Sequence, residues 1–281
     1  MQVTWQTFES NGQIVEAQFY APNGKSDRLV LMCSGFPGMG GTRFEQRHAA
    51  ALAESGMTLG VIKHAGTRID TPDGPFMLNN AWRLMQARAK GEKHLGGGPS
   101  TVANWLKEPQ IILNALRDAF ARIDIIGNSF GGVSALWSLI QSDAPLDKIQ
   151  TLLFYAGAQG VDTDPVHGIM RVWNPAFLAH PALADKIDID APMSVNLTMK
   201  NAYEDIAAKA GDLPAHINIK YLVVTGDELL KVGDSEHFRD KVMKGRGEII
   251  LDTISRAYPA HGLLAHDTPD YPTDKLMELL Q

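Results

Sequence analysis

Four short runs constrain this chain most, because they leave almost no polar face. Arg28–Met32, Ile123–Gly127, Thr151–Tyr155 and Tyr221–Val224 are apolar at nearly every position. A strand with one face in water alternates apolar and polar residues, whereas a strand covered on both faces reads as a continuous apolar run. Three further runs bounded by turn residues, Ile14–Tyr20, Met57–Ile62 and Glu248–Leu251, complete the set. The first of these alternates and suits an antiparallel edge.

Helical segments fall between the runs. Thr42-Arg43-Phe44-Glu45 has the spacing of a capping box, and Gly56 stands where that helix would stop. Val133, Leu136, Trp137 and Ile140 share one helical face, as do Ile112, Ala115, Leu116 and Ala119. Asp234 or Ser235 is placed to cap a helix over 236–244 with Gly245 beyond it, and Thr273 to open a last helix over 274–280. Strands alternating with helices predict an α/β chain whose sheet is mostly parallel, with helices on both faces.

Two stretches break the rhythm. Residues 65–99 include a mixed basic helix candidate, Trp82–Lys93, whose Arg83, Arg88, Lys90 and Lys93 read as a solvated face, with steering of an anionic substrate as the alternative. Residues 158–218 are rich in Pro, Met and aromatic side chains, and a gap that long is seldom structureless inside a compact domain. The expectation is an inserted helical lid between core segments 1–157 and 219–281, roofing an apolar pocket with Met170 and Trp173 toward the substrate, with ordinary connecting helices as the alternative.

Composition narrows the classes of function. Lys plus Arg is 26 against 32 Asp plus Glu, a formal charge of −6, which argues against a dedicated nucleic-acid binder. Hydrophobic and charged contents of 44% and 21% are globular values. The single cysteine, Cys33, excludes an intrachain disulfide and a Cys-rich zinc site and fits a reducing compartment, hence a cytoplasmic location. The first residues lack the basic and apolar regions of a secretory signal, and no run approaches the ~20 apolar residues of a membrane span. Neither nucleic acid nor membrane is an expected partner, and a homo-oligomer is compatible with the sequence.

Chemistry concentrates at Gly127-Asn128-Ser129-Phe130-Gly131-Gly132, a Gly-x-Ser-x-Gly pattern between a strand and an amphipathic helix. A serine on such a turn is held in strained backbone geometry and projects from the sheet, and the two glycines leave space where a Cβ would collide. Competing signals fail. Gly38-Met39-Gly40-Gly41-Thr42-Arg43 has arginine where the dinucleotide fingerprint needs its third glycine, and Gly96-Gly97-Gly98-Pro99 lacks the Lys-Ser/Thr of a phosphate loop. No His-Glu-x-x-His occurs, and His261 and His266 are poorly spaced for one metal on a helix, so no metal or cofactor is expected.

On these residues the chain resembles the α/β-hydrolase superfamily over nearly its full length outside 158–218. The resemblance implies a serine hydrolase with Ser129 as nucleophile and the α/β-hydrolase fold. It implies that Leu31-Met32-Cys33-Ser34-Gly35-Phe36-Pro37-Gly38 is the oxyanion loop, with serine where histidine is usual. Backbone N–H groups of Phe36 and Phe130 would then hold the oxyanion. The acid usually stands at Gly-x-x-Asp, but here Gly226-Asp227-Glu228-Leu229 puts leucine there. Asp227 is the choice, with Glu228, Asp162 and Asp164 as rivals. The histidine follows the last strand: His261, between a small residue and Gly262, matches the usual context, with His266 as fallback. The implied reaction is hydrolysis of a small-molecule carboxylic ester or related acyl bond, the substrate having an apolar acyl part. The alternatives are a carbon–carbon bond hydrolase, an acyltransferase, and a non-catalytic ligand-binding protein on the same scaffold.

Overall fold

The computed structural model describes residues 1–35, 43–64, 102–157, 192–256, 265–266 and 271–281. Among the described residues eight strands form one sheet: β1 (Gln2–Ser10), β2 (Gln13–Ala21), β3 (Arg28–Cys33), β4 (Thr58–Lys63), β5 (Arg122–Ser129), β6 (Ile149–Gly157), β7 (Asn218–Val224) and β8 (Glu248–Asp252). Their spatial order is β1-β2-β4-β3-β5-β6-β7-β8. β2 runs antiparallel to both β1 and β4, and every other pairing is parallel. The α-helices among the described residues are α1 (Arg43–Glu54), α2 (Val102–Leu116), α3 (Phe130–Leu139), α4 (Pro192–Lys209), α5 (Val232–Lys241) and α6 (Thr273–Leu279). No helix among the described residues is long and apolar enough to cross a membrane.

The mostly parallel sheet expected from the apolar runs is the one found, and the two core clusters explain those runs. Successive side chains of a strand point to opposite faces. Leu29, Leu31 and Cys33 join one cluster with Ile123, Ile125, Leu152, Phe154 and residues of α2, α3 and α4. Val30 and Met32 join the other with Ile126, Leu153, Tyr155, Leu222 and residues of α1 and α6. Both faces are therefore covered, and no position of a central strand is left for a polar residue without a partner.

Three expectations change. β1 is not among the apolar runs, because as the edge strand it is largely exposed on both faces. It makes Ile14–Tyr20 an interior strand rather than an edge, though an antiparallel one. The two are joined at Asn11-Gly12, both with positive φ (51° and 77°), which suits a tight hairpin turn. α3 is buried on nearly all sides instead of along one stripe, with Ser134, Ala135, Ser138 and Leu139 covered and Trp137 and Ile140 half-exposed. Its two serines fit there because each hydroxyl donates to a carbonyl of its own helix, Ser134 to Gly131 at 3.2 Å and Ser138 to Ser134 at 2.7 Å. Finally, the helix at 232–241 starts at Val232. Asp234 serves it from the third position by accepting the Lys231 N–H at 2.7 Å.

Gly56 ends α1 as anticipated, with φ +82° and the Met57 N–H returning to the Leu52 carbonyl at 3.0 Å. Thr42 and the basic helix candidate at 82–93 lie outside the described residues. Of the stretch 158–218, residues 158–191 lie outside them too. The remainder includes α4, whose Met199, Ala202, Tyr203 and Ile206 are part of the main core cluster.

At the amino ends of the strands a charged cluster ties the chain terminus down. Asp124, fully buried, receives the Arg28 Nε–H at 2.8 Å and an Arg122 N–H at 3.1 Å, and both guanidinium groups also donate to the Leu280 carbonyl. Removing one member of a buried charge cluster leaves the others unpaired. Asp124→Ala should therefore lower the unfolding free energy by about 3 kcal/mol, the low end for such a loss because both arginines keep some contact with water. Urea denaturation would read this as a lower midpoint at constant m-value, and an unchanged midpoint would refute it.

Candidate active site

β5 runs directly into α3 at Ser129, whose φ of 49° and ψ of −122° lie where an L-residue is strained. Such a conformation costs about 1–3 kcal/mol and persists only where the surroundings dictate it. Here they do. A Cβ on Gly131 would stand 1.9 Å from the Cys33 carbonyl oxygen, and one on Gly127 would stand 2.4 Å from the Gly132 Cα. The helix start thus packs backbone to backbone against β3, which only glycine permits. Asn128, just before the serine, donates through Nδ2 to the Tyr155 carbonyl at 2.9 Å and to the His266 carbonyl at 3.3 Å.

A turn carrying Asp227 and Glu228 follows β7. Asp227 is buried; its Oδ1 accepts the Leu229 and Leu230 N–H groups at 2.7 and 2.9 Å, and its Oδ2 lies 2.7 Å from His266 Nδ1. A carboxylate only accepts, so with Asp227 ionised the hydrogen of the Oδ2 contact is carried by Nδ1 and the lone pair falls on Nε2. The neighbouring carboxylate has a different task. Glu228 accepts the Ala265 N–H at 3.1 Å. The dipeptide that carries the imidazole is thus held on one side by the acid turn and on the other by Asn128.

Among the residues anticipated for the site, Ser129, Asp227 and Phe130 are described, and Phe130 is the buried first residue of α3. His266, the fallback, is the histidine that meets Asp227. His261, Phe36, Met170, Trp173, Asp162 and Asp164 lie outside the described residues. The local sequence favours the other histidine: each follows an alanine, Ala260 and Ala265, but glycine follows His261 and aspartate follows His266. The discriminating contacts come from Asn128 and Glu228, far away in sequence.

The start of the loop after β3 is bound tightly. The Ser34 hydroxyl donates to the Ile62 carbonyl at 2.9 Å, and the Ser34 carbonyl lies 3.1 Å from His64 Nε2. Gly35 passes so close to the elbow that a Cβ there would stand 3.0 Å from the Ser129 Cβ. Cys33, beneath this loop, is fully buried. Burial, and after it the charge of Glu108, push its thiol well above the ordinary range, so it stays protonated and is no rival nucleophile.

No protein-family model and no curated protein matches the sequence. Solved structures do match. The Pyrococcus furiosus esterase Pf2001 aligns over 99% of this chain and 89% of its own, with a TM-score of 0.57 at 11% identity. The acylaminoacyl peptidase of Pyrococcus horikoshii aligns over 99% of this chain with a TM-score of 0.57 at 15% identity, and this chain spans 41% of that enzyme. An alpha-beta serine hydrolase homologue from Coxiella burnetii aligns over 90% of this chain and 88% of its own, with a TM-score of 0.51 at 12% identity. Identities this low speak to the path of the backbone. Taken with the strand order and the strained turn between β5 and α3, they establish that the chain has the α/β-hydrolase fold.

Proposed function

We propose that this protein is a serine hydrolase that cleaves a small-molecule carboxylic ester or related acyl bond through an acyl-serine intermediate. The observation that carries this reading is the buried Asp227–His266 pair, pinned through Asn128 to the same turn that strains Ser129. Ser129 Oγ attacks the acyl carbon while its proton passes to His266 Nε2. The oxyanion is held by the Phe130 N–H at the start of α3, with the Phe36 N–H as the second donor that the resemblance implies. His266 returns the proton to the leaving group as the bond to it breaks. Water, deprotonated by the same nitrogen, then releases the acid from Ser129. Asp227 fixes the tautomer and stabilises the imidazolium.

Labelling with a fluorophosphonate, followed by a chain-length series of chromogenic esters, tests the reading. Labelling separates an enzyme from a binding protein on the same scaffold. Ser129→Ala should abolish labelling and lower kcat by roughly 10⁴- to 10⁶-fold with the fold intact. His266→Ala and Asp227→Asn should each cost at least about 10³-fold, and the double variant little more than His266→Ala alone, because the two act as a unit. His261→Ala should cost under about tenfold. If His261→Ala is the crippled variant instead, the assignment of the base is wrong.

The two clamps on the 265–266 dipeptide give a separate expectation. Glu228→Ala or Asn128→Ala should lower kcat about 10- to 100-fold by letting the imidazole drift from its productive position. Glu228→Gln keeps an oxygen for the Ala265 N–H and should stay within about threefold of wild type. Equal damage from alanine and glutamine would mean that charge, not the hydrogen bond, is what matters at 228.

A further inference from the structure

A second buried histidine–carboxylate pair lies against the elbow and takes no part in the proton transfers above. His64, the residue after β4, has Nδ1 2.6 Å from Glu108 Oε2 and Nε2 3.1 Å from the Ser34 carbonyl oxygen. Both side chains are essentially inaccessible, at 2% and 0% exposure. The ring is stacked on Trp105, with centroids 4.9 Å apart and planes 16° from parallel, and tilted against Phe130 at 5.7 Å. As apolar packing, such a pair has little to offer over a hydrophobic replacement of similar volume. What it offers is direction.

The hydrogen count is forced by the partners. A carbonyl only accepts, so His64 Nε2 carries a hydrogen and gives it to Ser34. Another proton then sits between Nδ1 and Oε2, whether as imidazolium facing carboxylate or as imidazole facing carboxylic acid. In both arrangements Glu108 selects the ring state that reaches Ser34. The Ser34 hydroxyl is meanwhile held by Ile62, so the residue is fixed at both its side chain and its carbonyl. On its far side that carbonyl borders the helix start, where a Cβ on Gly131 would stand 2.8 Å away. The next residue, Gly35, is the one that passes against Ser129.

We infer that His64 and Glu108 are positioning residues for the oxyanion side of the site: the pair orients the Ser34–Gly35 backbone against Ser129. The inference rests on the serine-hydrolase reading. It predicts losses in transition-state stabilisation rather than in substrate binding.

The test uses the full-length protein. Wild type is first labelled with a fluorophosphonate. Then kcat and KM for a chromogenic ester, and the inhibition constant of a trifluoromethyl ketone that forms an oxyanion on Ser129, are measured for His64→Phe, Glu108→Leu and Glu108→Gln. His64→Phe keeps a ring against Trp105 without its hydrogen bonds. Glu108→Gln can still donate an amide hydrogen to Nδ1 and so retain Nε2–H on Ser34. His64→Phe and Glu108→Leu should lose about 10²-fold in kcat and the same factor in ketone affinity, with KM within about threefold, as loss of oxyanion stabilisation does. Glu108→Gln should remain within about threefold of wild type in all three. Should His64→Phe not fold, by circular dichroism and thermal melting, the Glu108 variants carry the same comparison with the imidazole in place. Wild-type kcat and ketone affinity in a folded His64→Phe or Glu108→Leu variant would overturn the inference alone, as would a Glu108→Gln variant as damaged as Glu108→Leu. Wild type that does not label overturns the serine-hydrolase reading and the inference with it.

Discussion

The rest of the structure depends on one backbone-to-backbone approach. The first turn of α3 lies so close to the end of β3 that no side chain fits at position 131. That approach, with Gly127 against Gly132, fixes how the chain leaves β5 and where α3 runs. It leaves Ser129 no relaxed conformation. The strain at Ser129 costs far less than the core contacts that impose it, since α3 is buried on nearly every side. Replacing the surrounding glycines would not relieve the serine; it would separate the helix from the sheet.

The sheet also sorts its charges by strand end. At the amino ends of β3 and β5, Arg28, Arg122 and Asp124 close on the Leu280 carbonyl and hold the C-terminal helix α6 in place. At the carboxyl ends stand Ser129, Ser34, His64 and, just beyond β7, Asp227. Parallel strands bring their carboxyl ends to one side, which is why ligands of open α/β sheets bind there. The carboxyl-end groups converge from four strands on a turn of strained backbone.

Two histidine–carboxylate pairs flank that turn and use the same physics for different ends. Asp227 gives one oxygen to two backbone amides and turns the other to His266 Nδ1. Glu108 holds His64 so that Nε2 instead carries hydrogen toward a carbonyl. In each case the carboxylate contact bears on which ring nitrogen carries hydrogen, and so on which one can donate and which can accept. The adjacent acids Asp227 and Glu228 divide labour similarly, one meeting the ring and the other the backbone that carries it.

Local chemistry by itself determined much of this protein. Continuous apolar runs dictate strands covered on both faces, and a serine between glycines at a strand–helix junction dictates the elbow. The position of Asp227, directly leaving a buried strand, is legible too; its meeting with His266 is not. β1 escaped because an edge strand needs no apolar run, although Asn11-Gly12 is a local hairpin signal that would have revealed it. What the tertiary structure alone decided are pairings between residues far apart along the chain. Local context favours His261, which Gly262 follows, whereas His266 meets Asp227 with its backbone held by the distant Asn128 and Glu228. Nothing in the sequence near His64 points to Glu108 in another element, or to the carbonyl of Ser34 in a third. A strand or a strained turn is specified by its own residues and their neighbours. A hydrogen-bonded pair is specified by the packing that brings two distant segments together, which no local pattern encodes.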